Sequence, residues 1–314
     1  MAIVGSGVAT NRTNIQLPNE VAKEIIQKTQ ESSIIMRLAR KTNLPGLGKQ
    51  IPVIASDPVA SWVDETGAKP VSNPTLDKKI MQAHKLAVIV PFSDEFRRDA
   101  ASLYDALISR LPNVLGKKFD NTVFFGTGGS ALANFDTFAA VTVQSLQSNV
   151  YSGLVAADSD ISEHGGLVNG YAFSPQARGV LLGALDKQDR PIFIDSIAEG
   201  SIPRILGAQT YFSEAAYKAG DQTHADIIGF AGDWTKAQYG TVEGVKITIS
   251  DEATLDIGGG NVINLFQQNM FAVRAEVEIG FVAQTEYFNA LSRTHSGGTG
   301  STGETGQTGQ SGTT

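Results

Sequence analysis

Apolar residues recur at three- and four-residue steps through Phe96, Ala100, Leu103, Leu107, Leu111 and Val114. That spacing predicts a helix with one buried stripe. Ser93 stands where a cap is needed, and Asp94 and Glu95 fall in the first turn, where anions suit the positive end of the helix dipole. Lys117 and Lys118 lie towards the far end, which Gly126-Thr-Gly-Gly closes. A helix over 93–125 would be about 50 Å long, with Pro112 expected to kink it. A helix of that length is a strut across a domain.

The pattern before the strut is mixed. Residues 1 to 17 are small and polar and read as an extended arm. Asn19 then caps an amphipathic helix, with Val21, Ala22, Ile25 and Ile26 on one face. A second apolar group, Ile34, Ile35 and Leu38, ends in Arg37, Arg40 and Lys41, although an ordinary surface helix accounts for the pattern equally well. Leu44-Pro-Gly-Leu-Gly breaks the chain. Three β-like runs follow, Ile51–Ile54, Ala60–Asp64 and Ile80–Val90, with the turn formers Glu65 to Pro74 between the last two. These predict a long two-stranded excursion with a polar tip. An isolated hairpin is marginal in water, so this one needs support. A neighbouring subunit would provide it; a sheet of its own domain is the plainer alternative.

After the strut, short strands alternate with helices from Val141 to about Gly260. Val168–Phe173 and Pro191–Ile194 read as strands, Ser174-Pro175 starts a helix, and Ile227–Ala231 and Val245–Ser250 flank Gly232 to Gly240. This is the pattern of a compact mixed α/β unit. Asn269 to Leu291 then predicts a long strand pair, Met270–Phe281 with Val282–Phe288, with Arg274, Glu276 and Glu278 alternating against apolar residues. Residues from Thr294 on are almost wholly Gly, Thr, Ser and Gln, too polar to offset the entropy of ordering, and are expected to form a flexible tail. Its glycines fall at every third position from Gly300 to Gly312, but without proline a collagen-like helix is not expected.

Composition narrows the function. A net charge of −7 argues against a nucleic-acid binder, and the absence of cysteine excludes disulfides and thiolate chemistry. No cationic region with a long apolar run follows Met1, and no apolar stretch is long enough to span a bilayer, so neither a secretory signal nor a membrane partner is expected. The four histidines, His84, His164, His224 and His295, form no ligand pair. Gly126-Thr-Gly-Gly-Ser lacks a lysine and follows a helix instead of preceding one, so it reads as a helix stop rather than a phosphate loop. Asp158, Asp160 and Glu163 read as a solvated acidic loop, with a divalent cation as the sharper alternative. No catalytic, cofactor or metal residue is assigned, and an enzyme is not expected.

The order of these elements resembles the HK97-like major capsid proteins of tailed bacteriophages. Three segments carry the resemblance. Val168-Asn-Gly-Tyr-Ala-Phe-Ser-Pro-Gln-Ala-Arg is similar to the strand-to-helix entry of that family's axial domain. Ile228-Gly-Phe-Ala-Gly-Asp-Trp-Thr-Lys-Ala-Gln-Tyr-Gly resembles its glycine–aspartate–aromatic segment. Asn269-Met-Phe-Ala-Val-Arg-Ala-Glu-Val-Glu-Ile-Gly-Phe resembles its returning peripheral strand. The resemblance implies an α+β fold with an N-terminal arm and helix over 1–45 and an extended loop over 46–92. It implies a peripheral domain with a spine helix over 93–145, a mixed α/β axial domain over 146–262, return strands over 263–293 and the tail over 294–314.

The implied function is assembly: hexamers and pentamers that close an icosahedral virion shell, built in the bacterial host cytoplasm, around double-stranded DNA held without sequence-specific contacts. Implied partners are copies of the chain, a portal protein, a separate scaffolding protein (the arm begins almost at Met1, leaving no room for a built-in one) and a cement or decoration protein. Trp62, Glu65, Lys69, Phe92 and Phe96 are candidates for contacts between subunits. Some members of the family cross-link through an isopeptide bond, and the matching positions here are Lys69, Asn264 and Glu276 or Glu278. Two rivals remain open: an encapsulin-like shell enclosing a cargo enzyme, and a soluble α/β enzyme.

Overall fold

The computed structural model describes residues 33–295, apart from 47, 55–57, 59, 64–68, 70, 73–75, 100, 129–131, 148, 187, 189, 191, 194–203, 222 and 260. The expected arm, the first amphipathic helix and the tail from residue 296 on therefore lie outside the described residues, as does Glu65.

The long helix forms as the spacing predicts. Strand β4 (His84–Ser93) feeds directly into helix α2 (Asp94–Asp99), and α3 (Ala101–Phe125) continues through Pro112. Helix α1 (Ile34–Leu38) precedes them. Val114, expected on the buried stripe, is 51% exposed; Leu115 takes its place, and the stripe continues at four-residue steps through Phe119 and Val123. Positions 114 and 115 flank Leu111 on either side one turn on, and the core lies on the side of 115, in line with Phe119 and Val123.

Two sheets hold this helix. In the first, β1 (Arg40–Asn43), β10 (Ala237–Thr241), β14 (Met270–Ala283) and β11 (Lys246–Ser250) run in that order, with β4 also paired to β14. The β4–β14 ladder is antiparallel, from Met270↔Ser93 to Ile279↔His84. Phe271, Val273, Ala275 and Val277 alternate inwards against Phe92, Leu111 and Leu115, while Arg274, Glu276 and Glu278 point the other way, as period-two alternation requires. The second sheet has the order β5 (Thr142–Ser145), β15 (Phe288–Arg293), β9 (Asp226–Gly232), β6 (Gly170–Phe173), β8 (Ala208–Phe212) and β7 (Arg204–Ile205). Helices α4 (Val150–Glu163) and α5 (Pro175–Leu182) pack on it through Leu154, Ala157, Ala177 and Leu181.

An aromatic core joins the sheets to the end of the helix. Phe124 stacks on Phe230 at 4.6 Å and Phe138 on Phe288 at 4.4 Å between ring centroids. Phe281 of β14 and Trp234 close the cluster against Phe138. Stacked and edge-on rings at such distances add to the gain from burial alone.

The expected strand pair of Met270–Phe281 with Val282–Phe288 does not form. A single strand runs to Ala283, a 3-10 turn covers Thr285–Tyr287, and β15 crosses to the second sheet to pair with β9. The apolar run Ile279 to Ala283 carries no alternation that would mark a turn, so sequence placed the break too early. Likewise Lys49–Ile54 (β2) pairs with Leu76–Met81 (β3), while Ala60–Val63 is not a strand. The charges of Leu76-Asp-Lys-Lys hid a strand whose Lys78 and Ile80 are exposed while Met81 at its end is buried against Leu44 and Val282. The run Ile80–Val90 splits at Gln82-Ala83, where the chain crosses β14 over Gly280. A Cβ at Gly280 would meet the Gln82 carbonyl oxygen at 2.6 Å, so only glycine admits the crossing.

Candidate functional site

The described residues hold no group of three or more His, Asp or Glu side chains that could bind a metal. The acidic trio Asp158, Asp160 and Glu163 lies along α4. His84 and His164 contact backbone carbonyls, of Ala133 and Asp160, while His224 contacts Asp221. His295, read as part of the tail, instead shares buried Asp226 with Arg293, at 2.6 and 3.3 Å. Gly126, at φ +67°, ends α3 with its N–H on the Thr122 carbonyl at 2.9 Å, a helix stop. None of these arrangements presents a nucleophile, a base and an open cavity together.

Two of the singled-out segments do meet. Asp233 caps the 3-10 turn Trp234–Lys236, accepting from the Thr235 N–H and hydroxyl at 3.1 and 2.6 Å. The Asn169 amide donates to Asp233 at 2.8 Å and its oxygen accepts from the Trp234 N–H at 3.0 Å. The indole N–H of Trp234 donates to the Gly170 carbonyl at 2.9 Å. The Val168-Asn-Gly and Gly232-Asp-Trp-Thr segments thus form one joint that fixes β6 against β9. Its role is structural.

What remains unexplained by the fold is on the surface. β2 and β3 form a two-stranded sheet that joins neither large sheet, and β12 (Thr254–Asp256) with β13 (Val262–Asn264) forms a second. The first is tied to the body at its root: the Lys79 ammonium donates to Asp136 at 3.0 Å and to the Ala283 carbonyl at 2.7 Å. Along its connection Trp62 is fully exposed, and Val71 and Lys69 are exposed as well. Beside the second, Phe266 is 70% exposed, with Ile257 and Val262 also exposed. Sequence reasoning missed this second excursion; the turn signal Gly258-Gly-Gly between two short β-like runs was its only local mark.

The other anticipated contacts fall differently. Phe92 is 2% exposed and lies between Phe96, at 6.4 Å, and Phe271, at 5.9 Å. It is a core residue of its own chain: the alternation of β4 turns it towards the helix. Phe96 is half-buried beside it. Asn264 is half-buried at the end of β13, its side-chain oxygen accepting from the Gln267 N–H at 3.1 Å. Glu276 faces Arg274 at 3.4 Å and Glu278 faces Lys85 at 3.1 Å, holding that ammonium above the usual lysine range. No hydrogen bond or ion pair among the described residues joins Lys69 to Asn264 or Glu276.

A long helix crossed by a mixed, largely antiparallel sheet, a six-stranded sheet flanked by helices, and two separate two-stranded hairpins define the fold class. Solved phage structures share it. The chain aligns with one from Gordonia phage Cozz at a TM-score of 0.69, 22% identity, covering 83% of this chain and 86% of that one. Mycobacterium phage Ogopogo gives a TM-score of 0.70 at 18% identity, covering 83% and 92%. A capsid of a native GTA particle gives 0.62 at 13% identity, covering 91% and 93%. Among characterised sequences, the probable major capsid protein gp17 of Mycobacterium phage D29 is 26% identical over 300 residues, 90% of this chain and 91% of that one. The major capsid protein of Staphylococcus phage 80alpha is 25% identical over 275 residues, 84% and 80%. Residues 14–292 match the phage capsid family, and the chain belongs to that family. It is a capsid shell subunit of the HK97-like α+β class, a structural component of the virion and not an enzyme.

Proposed function

We propose that the chain assembles into hexamers and pentamers that close an icosahedral head around double-stranded DNA, with assembly in the bacterial host cytoplasm. The observation that carries this is the pair of hairpins standing off the body, one with Trp62 fully exposed and the other beside Phe266. A two-stranded hairpin is marginal without a third layer, and a large apolar side chain gains only when covered. Neighbouring copies supply both, and heterologous contacts that close by rotation make rings. In this reading β2–β3 is the extended loop reaching over a neighbour, α3 with the β14 sheet is the peripheral domain, and the six-stranded sheet is the axial domain. Trp62, Glu65 and Lys69 then lie in contacts between copies, as does the exposed part of half-buried Phe96.

The net charge of −7 suits a wall that encloses DNA without holding it. A portal protein, a separate scaffolding protein and a cement protein are the partners the family resemblance suggests. The phage relatives favour a head over a nanocompartment. Cross-linking would join the Lys69 amine of one copy to the Asn264 side-chain carbon of another, forming a C–N bond and releasing ammonia, with Glu276 as the neighbouring carboxylate. Denaturing gels of intact particles test it: multiples of the 33.2 kDa chain support the bond, and a lone monomer band rules it out. For assembly itself, the full chain is expressed, sedimented and imaged in negative stain. Rings or closed shells are expected; a folded monomer that stays dispersed at high concentration would overturn the reading.

A further inference from the structure

We propose that the arginine-lined cleft between α1–β1 and β8 is a docking site for an acidic peptide segment of a protein other than a copy of this chain. The inference concerns the single folded subunit and stands apart from the shell reading above.

The cleft has a volume of about 530 Å³ and is lined by Arg37 and Arg40 from α1 and β1 and by Gln209 and Tyr211 from β8. Local sequence puts the cations there. Ile34, Ile35 and Met36 bury the inner side of α1, which leaves Arg37 outside, and beyond buried Ala39 the extended chain turns Arg40 to solvent. Arg204 pairs with Gln209 across the β7–β8 hairpin. Residues directly opposite each other project from the same face of a sheet, so Arg204 adds a third guanidinium on the Gln209 side.

Among the described residues, no hydrogen bond or ion pair ties any of the three arginines to a carboxylate. The adjoining acid, Asp233, is buried and already takes its donors from Asn169 and Thr235. The donors of the cleft are nonetheless held in place. The Arg37 guanidinium lies 5.7 Å from the centre of the Tyr211 ring, a contact that fixes its plane and leaves its N–H groups free for an anion. The Tyr211 hydroxyl in turn donates to the Gln209 side-chain oxygen at 2.6 Å, which leaves the Gln209 amide nitrogen as a further donor. Guanidinium and amide donors facing one opening suit carboxylates.

The chemistry of the cleft selects the kind of partner. Single-stranded nucleic acid is held by stacking its bases on aromatic faces; here Tyr211 carries Arg37, and Trp234 is 2% exposed. Duplex DNA needs many phosphate contacts, which a chain of net charge −7 does not favour. A flexible acidic peptide needs only a few carboxylates within reach. A second copy is a poor source of them, because no more than two acidic residues stand together anywhere in this sequence, as at Asp94-Glu95 and Asp251-Glu252. The acidic run therefore belongs to a different protein.

The test uses the full chain as dissociated subunit and follows the fluorescence anisotropy of a labelled hexaglutamate peptide, with hexaglutamine as control. Hexaglutamate should bind at low ionic strength and weaken as salt rises, while hexaglutamine should not bind. The triple variant Arg37→Gln, Arg40→Gln, Arg204→Gln should bind hexaglutamate about tenfold or more weakly. Lys85→Gln, which removes an exposed cation elsewhere, should change binding by less than about twofold. No binding by wild type, or equal binding by the triple variant, would overturn the inference. A hexaglutamate carrying a photo-reactive group gives a second readout on the unaltered chain: it should label residues 37–43 and 204–211, and labelling confined to other segments would sink the proposal. An oligonucleotide that binds more tightly through the same arginines would make the ligand a nucleic acid instead. Loss of self-assembly in the folded triple variant would make the cleft a contact between copies, and either result overturns the peptide assignment.

Discussion

Asp120 is the buried carboxylate on the long helix, and replacing it with asparagine should remove a defined slope from the pH dependence of stability. Its side chain is fully buried. It accepts from the Ser33 hydroxyl at 2.5 Å and from the N–H groups of Ile34 and Ile35 at 2.9 and 3.4 Å, tying the start of α1 to the helix. Burial pushes its carboxyl up from the ordinary value of 3.8 to about 7, against those donors, which pull the other way. The folded chain therefore keeps this proton to about neutral pH, while the unfolded chain releases it near the ordinary carboxylate value. Folding takes up a proton in that window, so stability falls as pH rises through it and levels off above. The full effect is about 4 kcal/mol, of which about 2–3 kcal/mol falls between about pH 5 and about pH 8. Asparagine does not titrate. Urea denaturation of dissociated wild-type and Asp120→Asn subunits across that range isolates the contribution, because every other group titrates in both. The stability advantage of wild type should shrink as pH rises. A difference that stays constant, or grows with pH, would refute the reasoning.

Other perturbations separate folding from assembly. Asn169→Ala strips partners from Asp233 and the Trp234 N–H and should cost about 1–2 kcal/mol in urea denaturation; no loss would mean the joint is idle. Phe138→Ala empties the centre of the aromatic cluster and should cost about 3–5 kcal/mol by the same measurement. Lys79→Ala removes the anchor of the β2–β3 hairpin and should speed hydrogen exchange in residues 49–54 and 76–81 without lowering the melting temperature of the sheets. Trp62→Ala should leave the subunit's melting temperature unchanged but weaken assembly, and equal assembly would remove Trp62 from the contact.

Much of this architecture is legible in local pattern. The helices Asp94–Asp99 and Ala101–Phe125, the strand near Ile227–Ala231 and the helix opened by Ser174-Pro175 each follow from a period or a stop signal inside a short window. Where sequence misled, the deciding contact was distant. The strand ending at Ala283 leaves one sheet and its successor joins another, a choice set by the pairing of β15 with β9 across sixty residues of chain. Phe92 looked like an exposed anchor because its inward side is defined only by the β14 ladder. Asp120 sits beside Lys117 and Lys118, where the pattern suggests a charged face; only its partners at Ser33 to Ile35 show that it is buried. The segments at Asn169 and Asp233 were both conspicuous, yet their bond to each other was not. Trp62 is a contact candidate on sequence alone, whereas Phe266 stands out only through its exposure.

A cryo-EM map of the assembled particle tests the central claim most directly, by showing what lies against the two excursions. Trp62 and Phe266 should each be covered by side chains of a neighbouring copy, with β2–β3 lying across that neighbour. A closed shell in which both side chains still face solvent would contradict the account.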